Sequence, residues 1–158
     1  MKKDSFYIIG VDGGASKTCG VLFSASGDTL ATAFEKGSNL SLNGEIAADR
    51  IERIIYNLCK EAKVSRYQVN AVGLGLAGSS NLDGRDMVFG KLDSLQLSHR
   101  TLIINDAEAA YELSCPGDFG ILVTVGTGVI CISRYKGKTI REAGKGHDQG
   151  DIGSGFWI

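Results

Sequence analysis

Two glycine-rich turns in this sequence have the composition of loops that bind phosphate. The first turn is Asp12-Gly13-Gly14-Ala15-Ser16-Lys17-Thr18 and the second is Gly126-Thr127-Gly128, each between two apolar runs. Glycine lets backbone N–H groups approach an anion closely, and Ser, Thr and Lys add short donors and a positive charge. Two such turns in one chain suit the binding of a polyphosphate from two sides. The candidate phosphate contacts are Gly13, Gly14, Ser16, Lys17, Thr18, Gly126, Thr127 and Gly128.

Each of these assignments has a plainer alternative. Lys17 also suits a solvated surface charge, because the first turn is not the G-x-x-x-x-G-K-[ST] loop of P-loop enzymes. Gly126-Thr127-Gly128 alone is typical of an ordinary β-turn. Asp12 follows the first apolar run, where a carboxylate could bind Mg²⁺ through water or simply belong to a turn. The repetition of the turn at Gly126 favours the phosphate and magnesium roles.

Asp106 lies where an acid can do chemistry. It follows the apolar run 101–104 and opens a predicted helix, at the edge of the sheet where open α/β folds bind ligands. The structural alternative is a helix cap, because Asn105 can cap the helix and Glu108 completes a box-like pattern. An acid in the first turn also suits the helix dipole. The residues alone favour the cap, and both roles can hold at once.

The apolar periodicity predicts an α/β fold with a mixed sheet. Strands are predicted over 6–12, 18–25, 29–36, 69–77 and 101–104, and helices over 44–62, 83–96 and 107–113. We expect Gly90 to interrupt the second helix. Hairpins among the first three strands and helical crossovers after them imply antiparallel and parallel pairing, with helices on both faces.

A second unit of the same kind is predicted to begin near Phe119. Its strands are predicted over 119–125, 128–134 and 138–142, and it has no crossover helix of its own. A sheet without a covering helix is incomplete. We therefore expect a first domain over 1–115 and the beginning of a second, truncated domain over 116–158.

The bulk composition disfavours several classes of partner. The chain has 158 residues and a net charge of −1, which gives no long-range attraction to nucleic acid or acidic lipid. No apolar run approaches the roughly 20 residues of a membrane span, and the charged N-terminus is not a signal peptide. The four cysteines form no C-x-x-C pair, which indicates reduced thiols in a cytoplasmic protein.

Six short strings carry a resemblance that spans nearly the whole chain. They are Gly10-Val11-Asp12-Gly13-Gly14-x-Ser16-Lys17-Thr18, Gly37-Ser38-Asn39, Gly75-Leu76-Ala77-Gly78, Asn105-Asp106-Ala107, Gly126-Thr127-Gly128 and Gly144-x-Gly146-His147-x-x-Gly150-Asp151-x-Gly153-Ser154-Gly155. In this order they resemble the actin/Hsp70/sugar-kinase superfamily. Within it, the chain resembles the group of N-acetylglucosamine kinases and BadF/BadG/BcrA/BcrD ATPases.

The resemblance implies a fold and an activity. The fold would be a ribonuclease H-like five-stranded sheet, the actin-like ATPase domain, in a two-domain enzyme with ATP and Mg²⁺ in the interdomain cleft. It also implies a homodimer, and a C-terminal half with the adenine pocket outside these residues. We therefore expect residues 1–158 alone to show little or no turnover.

The resemblance also implies roles for single residues. Asp106 would accept the proton of the attacking sugar hydroxyl, and Asp12 would serve Mg²⁺. The implied sugar contacts are Ser38, Asn39, Gly78, Asp106, Gly146, His147 and Asp151. Three positions depart from the pattern, because Val129 replaces a small polar residue, Lys145 a tryptophan and Ile152 a glutamate. These departures remove one donor at the second turn and change part of the sugar contacts.

Three functions are compatible with these residues. The first is an ATP-dependent kinase of an amino sugar such as N-acetylglucosamine, N-acetylmuramic acid or glucosamine. The second is an ATPase that activates a partner dehydratase or reductase, whose relatives hold an iron–sulfur cluster with cysteines; Cys115 and Cys131 lack suitable spacing. The third, a nucleotide-dependent binding module, would leave Asn39 and Asp151 without a task. The kinase is the favoured interpretation.

Overall fold

The computed structural model describes residues 6–126, 128–144 and 153–157. Contacts divide the chain into two compact units, Met1–Asp106 and Ala107–Ile158. The sequence analysis places a domain boundary after residue 115. The two divisions therefore differ in where they put the helix that follows Asp106.

The first unit is built on a mixed sheet of five strands. The strands are β1 (Tyr7–Gly13), β2 (Lys17–Ser24), β3 (Thr29–Lys36), β4 (Val69–Leu76) and β5 (Thr101–Ile104). Their order across the sheet is β3-β2-β1-β4-β5. The pairs β1–β2 and β2–β3 are antiparallel, whereas β1–β4 and β4–β5 are parallel. The predicted fold class, with hairpins first and crossovers after them, is confirmed.

The first crossover helix, α1 (Gly44–Ala62), packs against β2 and β3 with an aliphatic stripe. Asn43 caps its N-terminus, where the side-chain oxygen accepts the N–H of Ile46 at 3.0 Å. A Cβ at Gly20 would overlap Ile54 of the helix, so glycine on β2 permits the close approach. The buried stripe, at the predicted helical spacing, is Ala47, Ala48, Ile51, Ile54, Ile55 and Leu58.

The second crossover helix, α2 (Leu82–Ser94), continues without a break through Gly90. The prediction that Gly90 interrupts this helix was wrong. A single glycine lowers helix stability but leaves the hydrogen-bond ladder possible, and tertiary packing supplies most helical stability. Val88 and Leu92 are buried on either side of Gly90 and hold the helix on the core.

The second unit contains a three-stranded antiparallel sheet and a helix. The elements are α3 (Asp106–Ser114), β6 (Phe119–Val125), β7 (Val129–Tyr135) and β8 (Lys138–Ala143), with the strands in the order β6-β7-β8. Tyr111 of α3 is fully buried and shares a small core with Ile132 of β7. Arg134 of β7 hydrogen-bonds Glu112 of α3. These contacts tie the helix to this sheet.

No helix in the described ranges is long and apolar enough to cross a membrane. The four cysteines are free and half-buried.

Replacing Gly90 with Ala should stabilise the protein by about 0.5–1 kcal/mol, because alanine has the higher helix propensity. The new Cβ would meet no atom within 4 Å. Urea unfolding followed by circular dichroism measures the change. The matched control is Gly84→Ala in the same helix, where the Cβ would lie 2.9 Å from the Leu40 carbonyl oxygen and should destabilise. Equal effects of the two substitutions would contradict this account of α2.

Candidate functional site

One edge of the five-stranded sheet collects many of the residues that the sequence connects with phosphate, magnesium and sugar. The parallel strands β1, β4 and β5 end at this edge, and the antiparallel β2 begins there. The segments at this edge are the 13–17 turn, the 37–41 loop, the 77–80 loop and Asp106. Open α/β sheets bind ligands at the carboxyl ends of their parallel strands.

Main-chain hydrogen bonds join the 13–17 turn to the 37–41 loop. Within the turn, the N–H of Gly14 donates to the carbonyl of Lys17 at 3.0 Å. From the loop, the N–H of Gly37 donates to the carbonyl of Ser16 at 3.0 Å. The N–H of Ser38 donates to the carbonyl of Gly14, also at 3.0 Å. The backbone itself therefore aligns the two segments.

The 77–80 loop joins the same layer from the other side. The N–H of Ala77 donates to the carbonyl of Gly13 at 2.8 Å. The N–H of Leu40 donates to the carbonyl of Ala77 at 2.9 Å. All three segments are thus held together by main-chain hydrogen bonds.

Two glycines are required by this close approach. A Cβ at Gly13 would overlap the Ser38 hydroxyl, and one at Gly37 would overlap the carbonyl of Ala15. At Gly14 the nearest atom to an added Cβ is 3.6 Å away, which is an ordinary contact. Packing therefore demands glycine at positions 13 and 37 but not at position 14.

Thr18 and Ser38 form a pair of hydroxyl groups beneath the turn, and both residues are fully buried. Thr18 Oγ1 lies 2.9 Å from the Lys36 carbonyl oxygen and 2.8 Å from Ser38 Oγ. The Thr18 hydroxyl is placed to donate to both oxygens, the Lys36 carbonyl and Ser38 Oγ. The sequence analysis assigned Thr18 to phosphate and Ser38 to sugar. Buried in this way, neither hydroxyl reaches a ligand, and the pair supports the turn instead.

The exposed polar groups of the turn are those of Asp12, Ser16 and Lys17. Asp12 lies between the buried Val11 and Gly13, so its side chain is on the sheet face opposite α1. Mg²⁺ is usually bound through one or two protein carboxylates, substrate phosphates and water. An exposed carboxylate beside exposed donors fits that pattern. The described residues contain no cluster of three or more His, Cys, Asp or Glu side chains that could hold a metal.

Asp106 is half-buried and begins α3. In the parallel register, Asp12 is level with Gly75, and Gly75 is level with Ile104, two residues before Asp106. Two strand spacings separate β1 from β5, so the backbones of the two acids lie roughly 10 Å apart along this edge.

The side-chain oxygen of Asn39 is hydrogen-bonded within its own loop. Its Oδ1 accepts the N–H of Ser41 at 2.9 Å. Since this backbone donor requires an oxygen, the amide orientation follows, and the NH₂ group is left to donate to a ligand. Gly78 has a φ of 72°, and a Cβ there would overlap Asn39 Oδ1. Gly78 therefore leaves space for the Asn39 side chain, and any contact of Gly78 with a ligand would come from its main chain.

The second glycine turn joins β6 to β7. The N–H of Gly126 donates to the carbonyl of Gly128 at 2.8 Å, and the N–H of Gly155 donates to the carbonyl of Gly126 at 2.6 Å. The segment 153–157 therefore contacts this turn, which the sequence analysis did not predict. The available signal was the string Gly153-Ser154-Gly155. Ser154 is fully buried, and its Oγ has no hydrogen-bond partner among the described residues.

Four residues of the predicted site lie outside the described residues: Thr127, Gly146, His147 and Asp151. The departures at Lys145 and Ile152 lie there as well. The roles assigned to all six positions stay predictions.

Known proteins resemble this chain along most of its length. The sequence pattern of the BadF/BadG/BcrA/BcrD ATPase family matches residues 9–158. The N-acetylmuramic acid/N-acetylglucosamine kinase of Clostridium acetobutylicum is 31% identical over 157 residues, covering 96% of this chain and 50% of the relative. The N-acetyl-D-glucosamine kinase of Dictyostelium discoideum is 30% identical over 169 residues, covering 100% of this chain and 52% of the relative. The chain thus spans about half the length of these curated relatives.

Solved structures share the fold. A protein from Chromobacterium violaceum, described as an N-acetylglucosamine kinase, has a TM-score of 0.75 and 28% identity, covering 96% of this chain and 53% of that chain. A glucokinase of the ROK family from Streptomyces griseus, solved with glucose and AMPPNP, has a TM-score of 0.59 and 24% identity, covering 86% of this chain and 46% of that chain.

The Gly13→Ala substitution should destabilise the protein by about 1–3 kcal/mol, because the new Cβ overlaps Ser38 in a closely packed layer. The matched control is Gly14→Ala, where the nearest atom is 3.6 Å away and the loss should be much smaller. Thermal unfolding of the two variants measures the difference. A comparable loss in both would mean that the turn is not packed as described.

The Thr18→Val substitution should cost about 1–3 kcal/mol, because the Lys36 carbonyl and the Ser38 hydroxyl each lose a buried partner. Thr101→Val is the control, since its half-buried hydroxyl also donates to a carbonyl, that of Leu97 at 2.8 Å. This control should lose less. Urea unfolding compares the two, and an equal or larger loss in the control would argue against a buried hydroxyl pair.

Proposed function

The chain belongs to the BadF/BadG/BcrA/BcrD ATPase family, and from this premise we propose that it carries the phosphate-binding half of an ATP-dependent amino-sugar kinase. The substrate would be a sugar of the N-acetylglucosamine type, phosphorylated in a cleft between two domains. The observation that carries the proposal is one sheet edge that combines an exposed carboxylate, an exposed Ser–Lys turn, an amide whose oxygen is held by the backbone and a second carboxylate. The kinase relatives support the choice of substrate class.

Asp106 is the proposed general base. In-line phosphoryl transfer requires mainly positioning and charge neutralisation, with one group to accept the proton of the attacking hydroxyl. Asp106 is half-buried and begins α3 two residues after β5 ends, so its backbone lies at the carboxyl end of that strand. From this position its carboxylate would accept the proton of a sugar hydroxyl directed at the terminal phosphate.

The polyphosphate of ATP would be bound by the 13–17 turn. The exposed Ser16 and Lys17 side chains supply a hydroxyl donor and a positive charge, whereas the N–H of Gly14 is already bonded to the Lys17 carbonyl. Asp12 would hold Mg²⁺ through water, with the ion neutralising charge on the phosphate oxygens. The Gly126-Thr127-Gly128 turn of the second unit is proposed to bind the same polyphosphate.

Asn39 would donate its NH₂ group to an acceptor oxygen of the sugar. A hydroxyl or the carbonyl of an N-acetyl group can accept such a bond. Main-chain groups at Gly78 would add to this contact, and we propose further sugar contacts from Gly146, His147 and Asp151. We also propose a homodimer in the cytoplasm.

An ATPase that activates a partner dehydratase or reductase is not favoured as the function. Both curated relatives named above are sugar kinases, whereas that alternative rests on the breadth of the family alone.

The Asp106→Asn substitution should lower kcat by about 10²–10⁴-fold, because the amide cannot accept the hydroxyl proton. The measurement is sugar-dependent ADP release by the full-length protein over a panel of amino sugars, with ATP affinity measured separately. ATP binding should survive. Glu108→Gln, which removes an exposed acid two residues later, is the control and should retain its rate.

Two results would count against the proposal. Retention of rate in Asp106→Asn would remove Asp106 as the base. Failure of every amino sugar to increase ADP release by the wild-type protein would remove the proposed substrate class.

A further inference from the structure

Two lysines face each other at the candidate site. Lys17 begins β2 and Lys36 ends β3, and they are direct partners in the antiparallel register. Both are exposed. Their neighbours Thr18 and Glu35 are also partners and point toward α1, so the two lysines point to the opposite face. This is the face that carries Asp12.

No carboxylate in the described part of the chain pairs with these two lysines. Glu35 lies on the other face, where Arg53 Nε donates to its Oε1 at 3.0 Å and holds the pKa of Glu35 below its usual value. Asp12 shares the face of the lysines but forms no ion pair with either of them. Two positive charges therefore lie side by side without a described counter-ion.

The backbone holds these charges in place. Like charges directly opposite each other destabilise an antiparallel pair. Here the strand ends cannot slide apart, because Thr18 donates to the Lys36 carbonyl and Gly37 donates to that of Ser16. Arg50 of α1 also donates to the Gly37 carbonyl. A pair of like charges fixed in register is suited to an anion that bridges both ammonium groups.

We propose that Lys36 acts with Lys17 as a two-cation site for the terminal phosphates of the nucleotide. The inference rests on the proposed function and adds a residue that the two glycine turns do not contain. The two ammonium groups would bind phosphate oxygens on the same face as the Asp12 carboxylate. The buried hydroxyl pair of Thr18 and Ser38 would position Lys36 through its carbonyl.

The test uses the full-length protein, with inorganic tripolyphosphate and ATP as probes in thermal unfolding. Without an anion, Lys36→Gln should raise the melting temperature by about 1–3 °C, because a like-charge repulsion is removed. With tripolyphosphate, Lys36→Gln should instead have a lower melting temperature than the wild type, since the apparent affinity of the variant for the anion falls about tenfold. Salt at about 0.5 M should reduce the wild-type response towards that of the variant.

Three further variants control the experiment. Lys17→Gln should lose affinity as Lys36→Gln does, and Lys36→Arg should retain it because the charge is kept. Lys60→Gln removes an exposed lysine from the last turn of α1, at the opposite edge of the sheet. It should respond to both probes as the wild type does.

The outcomes separate this inference from the proposed function. If Lys17→Gln loses affinity and Lys36→Gln does not, the role of Lys36 is wrong while the phosphate turn stands. If neither probe stabilises the wild-type chain, the proposed nucleotide site and this inference fail together. If Lys60→Gln loses as much affinity as Lys36→Gln, the effect is one of net charge and the two-cation site is wrong.

Discussion

The close approach of three backbone segments at one edge of the sheet is the constraint on which the candidate site depends. The 13–17 turn lies between the 37–41 and 77–80 loops and bonds to both through the main chain. No residue with a Cβ fits at Gly13 or Gly37 without a shift of its neighbours. Because the main chain satisfies itself, the polar side chains of the turn remain exposed. The three segments are thus held together by main-chain hydrogen bonds, while the Ser16 and Lys17 side chains are exposed to solvent.

Strand alternation sorts the charges of this edge between the two faces of the sheet. On the face towards α1, Glu35 is paired with Arg53, and that pair joins the sheet to the helix. On the opposite face are Asp12, Lys17 and Lys36, and neither lysine forms an ion pair with another described residue. A surface ion pair contributes little to stability. The separation matters because, among the described residues, it places two lysines beside the Asp12 carboxylate on one face of the sheet.

The sequence predicts the fold better than it predicts the site. The elements are set by local patterns, such as the aliphatic spacing of α1, and their order implies the pairing of the strands. The prediction that Gly90 interrupts α2 was wrong because it considered only the helix propensity of glycine, which is about 1 kcal/mol less favourable than that of alanine. It left out the burial of Val88 and Leu92, which holds the helix on the core. At the candidate site, Thr18 is of a residue type that can donate to phosphate, but its side chain is buried in the core. Its orientation depends on pairing with β1 and β3, which residue type alone does not show.

The two glycine turns are alike in composition but differ in what their glycines do. At Gly13 an added Cβ overlaps a neighbour, so packing alone explains glycine there. At Gly126 an added Cβ would meet no atom within 4 Å, and the residue is not among those with positive φ. Neither packing nor backbone conformation within the described residues therefore demands glycine at 126. Glycine beside a strand that it weakens suggests that a ligand or another backbone comes close to its main chain. The 153–157 segment is such a backbone, because the N–H of Gly155 donates to the Gly126 carbonyl at 2.6 Å, while the N–H of Gly126 itself donates to the Gly128 carbonyl.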